Sequence, residues 1–145
     1  MAQHSSDDDL RTVTLDKIGE HRFRAVNPRG GAITVGYGED PDFTPVELLL
    51  AALAGCGAID VDFITGKRAP FETFAATAEG RKIRDEHGNR MVGLTVTFDV
   101  TFPEGEDGDA AREVLPTAVR RSQDRLCTVG RTVTVGDPVS YRLAE

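Results

Sequence analysis

The chain has little cysteine, little positive charge and no long hydrophobic run. Its two cysteines are too few for a disulfide framework, and their wide separation excludes a local CxxC redox motif or a zinc knuckle. It has 17 Lys and Arg residues and 24 Asp and Glu residues, which gives a formal net charge of −7. Nucleic-acid binding needs a clustered basic surface, so this balance argues against a nucleic-acid partner.

The hydrophobic segments are too short to place the chain in a membrane. The longest apolar run covers residues 48–54, whereas a transmembrane helix needs about 20 apolar residues. The first nine residues are polar and acidic, and they lack the basic and apolar regions of a secretory signal. We therefore expect no membrane partner and a reducing, cytoplasmic location.

The overall amino-acid composition is typical of a folded protein. Hydrophobic residues make up 39% of the chain and charged residues 28%, a balance that favours a packed core over disorder. Residues 1–9, which include three consecutive aspartates, are predicted to form a disordered acidic tail. Residues 10–145 are predicted to form a single domain.

Alternation of apolar and polar residues predicts strands in three parts of the chain. Three short strands are centred on residues 13–15, 23–25 and 33–37. A longer pair covers residues 74–83 and 91–102, with a turn at 85–89. A final hairpin is predicted to join residues 132–135 and 139–143 across the turn at 136–138.

Two helices are predicted between these strands, which makes the fold α+β. In the first, Thr44 can cap the helix while Glu47 reaches back to the amide of the cap, and the helix runs to about Gly66. Its apolar residues cover nearly its whole circumference, so we expect it to be buried on most sides, under a sheet and against another helix or a second subunit. The second helix is expected from about Asp109 to Cys127.

Cys56 lies inside the first predicted helix, between Gly55 and Gly57. Each glycine costs a helix interior about 1 kcal/mol relative to alanine, so something offsets that cost. Close packing against another backbone is one explanation, and space for a ligand to reach the sulfur is the other. A reactive Cys56 needs a nearby cation that stabilises its thiolate.

Cys127 ends the second predicted helix. A helix C-terminus disfavours an anion, so Cys127 suits a resolving thiol better than a nucleophile, and a half-buried packing cysteine is the alternative. Nearby positive charge is available from three arginines that otherwise form a solvated basic face: Arg120, Arg121 and Arg125.

The other titratable residues predict no metal site and no bound cofactor. The three histidines, which are His4, His21 and His87, lack the spacing of metal ligands. Asp60 and Asp62 are two positions apart on a helix, so they lie on different faces and do not form a carboxylate pair.

The motif TPVELLLAALAGC, residues 44–56, is followed about seventy residues later by Leu126, Cys127, Thr128 and Val129. This combination resembles the OsmC/Ohr family of osmotically induced and organic-hydroperoxide-resistance proteins, nearer a less characterised OsmC-like branch. The resemblance covers almost the whole chain. It implies antiparallel sheets around two central helices in an intertwined homodimer.

The resemblance also implies a thiol peroxidase of oxidative-stress defence. Cys56 would attack the O–O bond of an organic hydroperoxide or hydrogen peroxide and become a sulfenic acid, and Cys127 would condense with it into a disulfide. A dithiol reductant, either a small molecule or a lipoyl-type protein, would restore the thiols. The alternative is a non-catalytic OsmC-like module that binds a small apolar ligand in the cavity at the dimer interface.

Two positions depart from the pattern of the family's peroxidases. There, a glutamate directly after the proline holds an arginine near the first cysteine; here that position is Val46, and Glu47 lies about 100° further round the helix. Capping the helix is the other role open to Glu47. The candidate for that arginine is Arg22, and the alternative is that Arg22 belongs to a solvated strand face. The second departure is Thr128, which stands where a proline usually follows the second cysteine.

Overall fold

The computed structural model describes residues 7–145, so residues 1–6 of the predicted tail, with His4, lie outside the described residues. At the end of that tail, Asp7–Asp9 form one turn of 3-10 helix instead of the predicted disordered chain. The chain divides into two compact units, one that ends at Leu48 and one that begins at Leu49. A single domain over residues 10–145 stays a prediction.

The first unit contains the three predicted short strands, which form an antiparallel sheet in the order β1-β2-β3. The strands are β1 (Thr14–Gly19), β2 (Arg22–Val26) and β3 (Ala32–Val35). The turn between β2 and β3 is closed by Asn27, whose Oδ1 accepts hydrogen bonds of 3.0 Å from the backbone N–H groups of Arg29 and Gly31. This is an Asx turn, a type of turn that an asparagine side chain can form with nearby backbone N–H groups.

The first helix, α1 (Pro45–Gly66), begins with the predicted capping box. The backbone N–H of Thr44 donates to Glu47 Oε1 at 2.9 Å, and the backbone N–H of Glu47 donates to Thr44 Oγ1 at 3.2 Å. These two bonds satisfy amide groups that have no partner inside the helix. The prediction of where α1 starts is therefore confirmed.

Burial of α1 on most sides is wrong for the single chain. The buried residues follow one line at intervals of four: Leu53, Gly57, Val61 and Thr65. On another face, Ile59 is 60% exposed and Phe63 is 72% exposed, so one chain covers only part of this apolar helix. By length and composition alone, with a mean hydropathy of 1.8, α1 is also able to span a membrane, but core helices of soluble proteins pass the same test.

The second unit contains the long predicted hairpin, formed by β4 (Thr73–Asp85) and β5 (Gly88–Thr101). Its register pairs Ala76 with Phe98 and Ala78 with Val96, so the half-buried residues of both strands share one face. Threonines of β5 occupy the opposite, exposed face. The alternation in the sequence therefore predicts this hairpin correctly.

Three helical segments follow β5, and the last ends at Val135. They are α2 (Glu106–Arg121), a π-helical segment (Ser122–Leu126) and α3 (Thr128–Val135). Ala111 of α2 is fully buried against Ala69 and Phe102, which form the core cluster of this unit. Antiparallel sheets and helices together confirm the α+β class.

The predicted final hairpin is wrong. Residues 132–135 belong to α3, and residues 139–143 form no strand. Thr132 Oγ1 donates to the carbonyl of Thr128 at 2.7 Å, and the N–H of Gly136 donates to the carbonyl of Thr132 at 2.9 Å. These local bonds hold the segment in a helix although its β-branched residues favour a strand, because such propensities are weak compared with the hydrogen bonds that the segment makes.

Candidate functional site

The two cysteines meet in the unit that begins at Leu49. Cys56 lies on α1 and is half-buried, whereas Cys127, between the π-helical segment and α3, is buried. Both thiols are free. The Cys56 thiol is close enough to Cys127 to help raise the pKa of the Cys127 thiol. Folding thus brings together two sulfur atoms that are remote in the sequence.

Cys127 is the N-cap of α3. Its Sγ accepts a hydrogen bond of 3.2 Å from the backbone N–H of Gly130, and its own N–H donates to the carbonyl of Ser122 at 2.9 Å. The sequence placed Cys127 only at the end of a helix, where a thiolate is disfavoured. Because α3 was not predicted, the donor at Gly130 was not predicted either.

The surroundings of Cys127 keep its thiol protonated at neutral pH. Burial is the largest cause that raises the pKa of Cys127, and the neighbouring Cys56 thiol and the Asp60 carboxylate raise that pKa further. The N–H of Gly130 acts in the opposite direction, because it donates a hydrogen bond to the sulfur. A protonated thiol attacks peroxide poorly, so of the two cysteines Cys127 is the less suited to react first.

A partly buried hydrogen bond between Ser122 and Asp60 lies beside this pair of thiols, and the sequence interpretation missed it. Ser122 Oγ donates to Asp60 Oδ2 at 2.8 Å, and Ser122 is only 4% exposed. Asp60 lies one helical turn after Cys56, and that spacing of four positions was the available signal. The sequence interpretation compared Asp60 only with Asp62, which is exposed.

The two glycines that flank Cys56 have different surroundings. A Cβ at Gly57 would lie 3.0 Å from Phe98 Cζ and 3.7 Å from Ser122 Oγ, so this glycine permits close packing. A Cβ at Gly55 would meet no described atom within 4 Å, so this glycine borders open space. Gly57 therefore packs closely against side chains rather than against the backbone expected from the sequence, and Gly55 leaves space open beside Cys56.

A cavity of about 330 Å³ lies next to Cys127. Its walls come from α1, β5, α2, the π-helical segment and α3, and its polar side chains besides Cys127 are Thr95, Ser122, Gln123 and Thr134. Cys56 is not among the residues that line it. The cavity therefore gives a small molecule access to one sulfur of the pair and not to the other.

The remaining candidates from the sequence, Arg22 and Glu47, belong to the unit that ends at Leu48. Arg22 Nη2 lies 2.7 Å from Asp42 Oδ2, and Arg22 Nε lies 3.6 Å from Asp40 Oδ2. The hydrogen bond and the charge of Asp42 raise the pKa of Arg22, so its guanidinium stays charged. Glu47 is engaged in the capping box with Thr44.

The other charged candidates are exposed in this structure. Arg120, Arg121 and Arg125 are exposed, and none has an ion-pair partner among residues 7–145. His21 and His87 are exposed as well. Within the same part of the chain, no three His, Cys, Asp or Glu side chains are grouped as metal ligands.

Comparison with known proteins gives a consistent family and fold. The family model described as "OsmC-like protein" matches residues 38–142. An uncharacterized protein of Mycobacterium tuberculosis (strain H37Rv) is 28% identical over 139 residues, which cover 94% of this chain and 98% of the relative. A protein of Mycobacterium bovis, also described as uncharacterized, matches this chain with the same identity and coverage.

Solved structures show the same fold at low sequence identity. A hypothetical protein from Aquifex aeolicus superposes with a TM-score of 0.71 at 23% identity, over 88% of this chain and 89% of that one. An OsmC-like protein of unknown function from Vibrio cholerae gives 0.63 at 11% identity, over 86% and 93%. The organic hydroperoxide resistance protein OsmC of Legionella pneumophila gives 0.55 at 16% identity, over 84% and 88%.

Proposed function

The chain belongs to the OsmC-like family, as its sequence predicted, and we propose that it is a thiol-dependent peroxidase with Cys56 as nucleophile and Cys127 as resolving thiol. The observation that carries this proposal is the proximity of the two thiols across 71 positions of sequence. The similarity in fold to a Legionella protein named for organic hydroperoxide resistance supports an oxidative-stress role. Such a role also fits the free state of both cysteines.

The proposed reaction has two protein steps. The Cys56 thiolate attacks the terminal oxygen of ROOH, so an S–O bond forms, the O–O bond breaks, and RO⁻ leaves and takes up a proton as ROH. The Cys127 thiol then loses its proton and attacks the sulfenic sulfur of Cys56, so an S–S bond forms and the hydroxyl leaves as water. A dithiol reductant, either a small molecule or a lipoyl-type protein, takes the disulfide back to two thiols and is itself oxidised to a disulfide.

The proposal includes a homodimer in a reducing, cytoplasmic setting. A second copy would cover the exposed apolar face of α1, where Ile59 and Phe63 now meet solvent. The same face borders Gly55, next to Cys56. A reducing compartment supplies the thiols that the catalytic cycle consumes.

Arg22 is the proposed cation that activates Cys56, by resemblance to the family's peroxidases. Its charge is balanced by Asp42 and Asp40, so the arrangement supplies a fixed guanidinium whose orientation those carboxylates control. Arg22→Ala should lower kcat/KM for cumene hydroperoxide by about 10-fold or more. Arg24→Ala is the matched control on the same strand, and an equal loss in both variants would reject Arg22.

Two cysteine variants test the peroxidase itself. In the parent, one equivalent of tert-butyl hydroperoxide should remove both free thiols of each chain, as measured by thiol titration. Cys56→Ser should abolish peroxide consumption, whereas Cys127→Ser should accumulate a sulfenic acid that dimedone traps. A Cys56→Ser protein that consumes hydroperoxide as fast as the parent would refute the proposal.

A second candidate function is the binding of a small apolar ligand without catalysis. The cavity beside Cys127 favours it, because a site of this volume is large enough for a small ligand whether or not the sulfur reacts. Under this alternative, hydroperoxide leaves both thiols free in the titration. The same experiment therefore separates the two functions.

A further inference from the structure

The carboxylate of Asp60 lies beside the two thiols without a cation to balance its charge. Asp60 follows Cys56 by four positions on α1, so the two side chains share one face of the helix, with about 5–6 Å between their Cβ atoms. The charge of Asp60 also acts on Cys127, whose pKa it raises. Among residues 7–145, no Lys, Arg or His side chain forms an ion pair with Asp60. The carboxylate and the two thiols therefore form one cluster.

The negative charge of Asp60 has no structural use that an amide would not serve. Within the described part of the chain, its side chain takes part in one hydrogen bond, from Ser122 Oγ to Oδ2 at 2.8 Å. An asparagine carbonyl would accept that bond as well. The charge itself opposes ionisation of the Cys127 thiol, because it raises the pKa of Cys127. A carboxylate in this position is therefore unfavourable for the thiol chemistry unless its basicity is used.

The resolving step of the proposed reaction requires a proton to move. Cys127 loses its thiol proton as it attacks the sulfenic sulfur of Cys56, and the hydroxyl on that sulfur gains a proton as it leaves as water. The cavity beside Cys127 is lined by no charged side chain of the described residues, so it offers no base. Asp60 is the only carboxylate among the groups that affect the pKa of Cys127. It is therefore the side chain placed to move this proton.

We propose that Asp60 catalyses the resolving step: its carboxylate accepts the proton of the Cys127 thiol and delivers it to the hydroxyl that leaves the Cys56 sulfenic acid. The inference rests on the proposed function, because that sulfenic acid is its starting state. A carboxylate oxygen can accept a proton and release it again, so one group serves both ends of the transfer. Its place one helical turn after Cys56 puts it beside the sulfur that holds the leaving hydroxyl.

The atoms and electrons of this step balance without a further reagent. The S–H bond of Cys127 breaks, and its electron pair forms the S–S bond to Cys56. The S–O bond of the sulfenic acid breaks, and its electron pair leaves with the hydroxyl, which takes the proton from Asp60 and becomes water. The Cys127 sulfur is oxidised, the Cys56 sulfur is reduced by the same amount, and Asp60 returns to a carboxylate.

Ser122 is a positioning residue in this scheme. Its hydroxyl donates to Asp60 Oδ2, and no group among residues 7–145 donates to Oδ1. Ser122 is 4% exposed, and its carbonyl accepts the N–H of Cys127 at 2.9 Å, so it is fixed to the segment that carries the attacking sulfur. The serine therefore holds the carboxylate by one oxygen and leaves the other oxygen to exchange the proton.

Rapid-quench mass spectrometry measures the two protein steps separately. The full chain is mixed with one equivalent of tert-butyl hydroperoxide at neutral pH, quenched with acid at increasing times and analysed intact. A chain with one added oxygen reports the sulfenic acid, and a chain that has lost two hydrogens reports the disulfide. Asp60→Asn should slow conversion of the first into the second by at least about tenfold, because the amide is not a base. Formation of the oxygen adduct should change much less.

An effect of Asp60 through its charge alone predicts the opposite sign. Removal of the charge lowers the pKa of Cys127, so the conversion would become faster in Asp60→Asn. A conversion that is faster or unchanged would overturn the inference. Asp62→Asn, at an exposed position on the same helix, is the matched control and should leave both steps unchanged. An equal slowing in the two variants would also reject a specific role for Asp60.

Added formate distinguishes a lost base from a displaced side chain. Asp60→Ala removes the carboxylate and leaves space beside the thiols, so formate should restore the conversion in proportion to its concentration. Chloride at the same ionic strength should have no effect. Ser122→Ala keeps the carboxylate and should slow the conversion less than Asp60→Asn does. A slow Asp60→Ala chain that does not respond to formate would contradict proton transfer by Asp60.

The parent chain separates this inference from the proposed function. A parent that gains no oxygen and forms no disulfide with hydroperoxide contradicts both. A parent that forms the disulfide through the oxygen adduct, at a rate that Asp60→Asn does not lower, contradicts only the role of Asp60.

Discussion

Ser122 and Asp60 join the two segments that carry the cysteines. The 2.8 Å hydrogen bond from Ser122 Oγ to Asp60 Oδ2 links the start of the π-helical segment before Cys127 to the turn of α1 that follows Cys56. The serine is almost fully buried, so water competes little for this bond. The bond therefore helps to fix the distance between the two thiols.

Loss of the Ser122 hydroxyl should destabilise the chain. Ser122→Ala leaves the Asp60 carboxylate without its donor, and hydrogen bonds to charged groups contribute about 1.5–3 kcal/mol. Urea unfolding should show a loss of that size. Ser140→Ala, at an exposed position, should change the free energy of unfolding by no more than about 0.5 kcal/mol. Equal effects would contradict the role assigned to the bond.

The charge of Asp60 should contribute, after burial and the Cys56 thiol, to the pH at which Cys127 reacts. The pKa of Cys127 is raised, so its alkylation by iodoacetamide in a Cys56→Ser background should become fast only at alkaline pH. Asp60→Asn removes one cause of the rise and should move the midpoint to lower pH. Asp62→Asn, two residues further along the helix, should leave the midpoint unchanged. Mass spectrometry of samples quenched across a pH series measures both.

The same rise in pKa sets the sign of one contribution to stability. Because Cys127 holds its proton more tightly in the folded chain, its contribution is fully present below the pKa of the unfolded thiol and is lost as pH rises through the folded pKa. The free energy of unfolding should therefore decline more steeply at alkaline pH in the parent than in Cys127→Ala. Parallel declines in urea titrations would contradict this expectation.

Truncation of Phe102 should lower the free energy of unfolding more than truncation of Phe71. Phe102 is 4% exposed and packs in the cluster with Ala69 and Ala111, so Phe102→Ala should cost about 3–5 kcal/mol. Phe71 is 41% exposed, and Phe71→Ala should cost clearly less. Thermal or urea unfolding of both variants provides the comparison. A similar loss for the two would show that the buried cluster is not the main core of this unit.

The proposed homodimer depends on the exposed face of α1. Phe63→Lys introduces a charge at a residue that is 72% exposed in the single chain, so it should shift the protein to monomers without unfolding it. Sedimentation equilibrium and circular dichroism measure the two properties. Thr97→Lys, on the exposed face of β5, should leave the dimer intact. A parent that sediments as a monomer would reject the dimer.

Features with local causes could be predicted from the sequence. The capping box of α1 is a contact between Thr44 and Glu47, three residues apart, and the β4–β5 hairpin follows from alternation that the register confirms. The family motif added the significance of Cys56 and Cys127, which no local pattern supplies. These signals were sufficient for the α+β class.

Features that depend on distant contacts could not be predicted. The bond between Ser122 and Asp60 requires two segments 62 positions apart to pack together. In α3, threonine and valine alternate as polar and apolar residues do in a strand. Capping by Cys127 and the bond from Thr132 to Thr128 nevertheless favour a helix. A local pattern carries no information about such competing bonds.

The number of residues between Ser122 and Cys127 matters more to the relative position of the two thiols than the side chains of those residues do. The N–H of Cys127 bonds to the carbonyl five positions earlier, and this wide turn sets the direction in which the cysteine leaves the helix. Gln123, Asp124 and Arg125 are exposed, so substitutions there are compatible with the fold. Deleting any one of them would rotate the following chain by about 100° and carry the second sulfur away from the first. Relatives with the same chemistry should therefore vary in residue type along this stretch while conserving its number of residues.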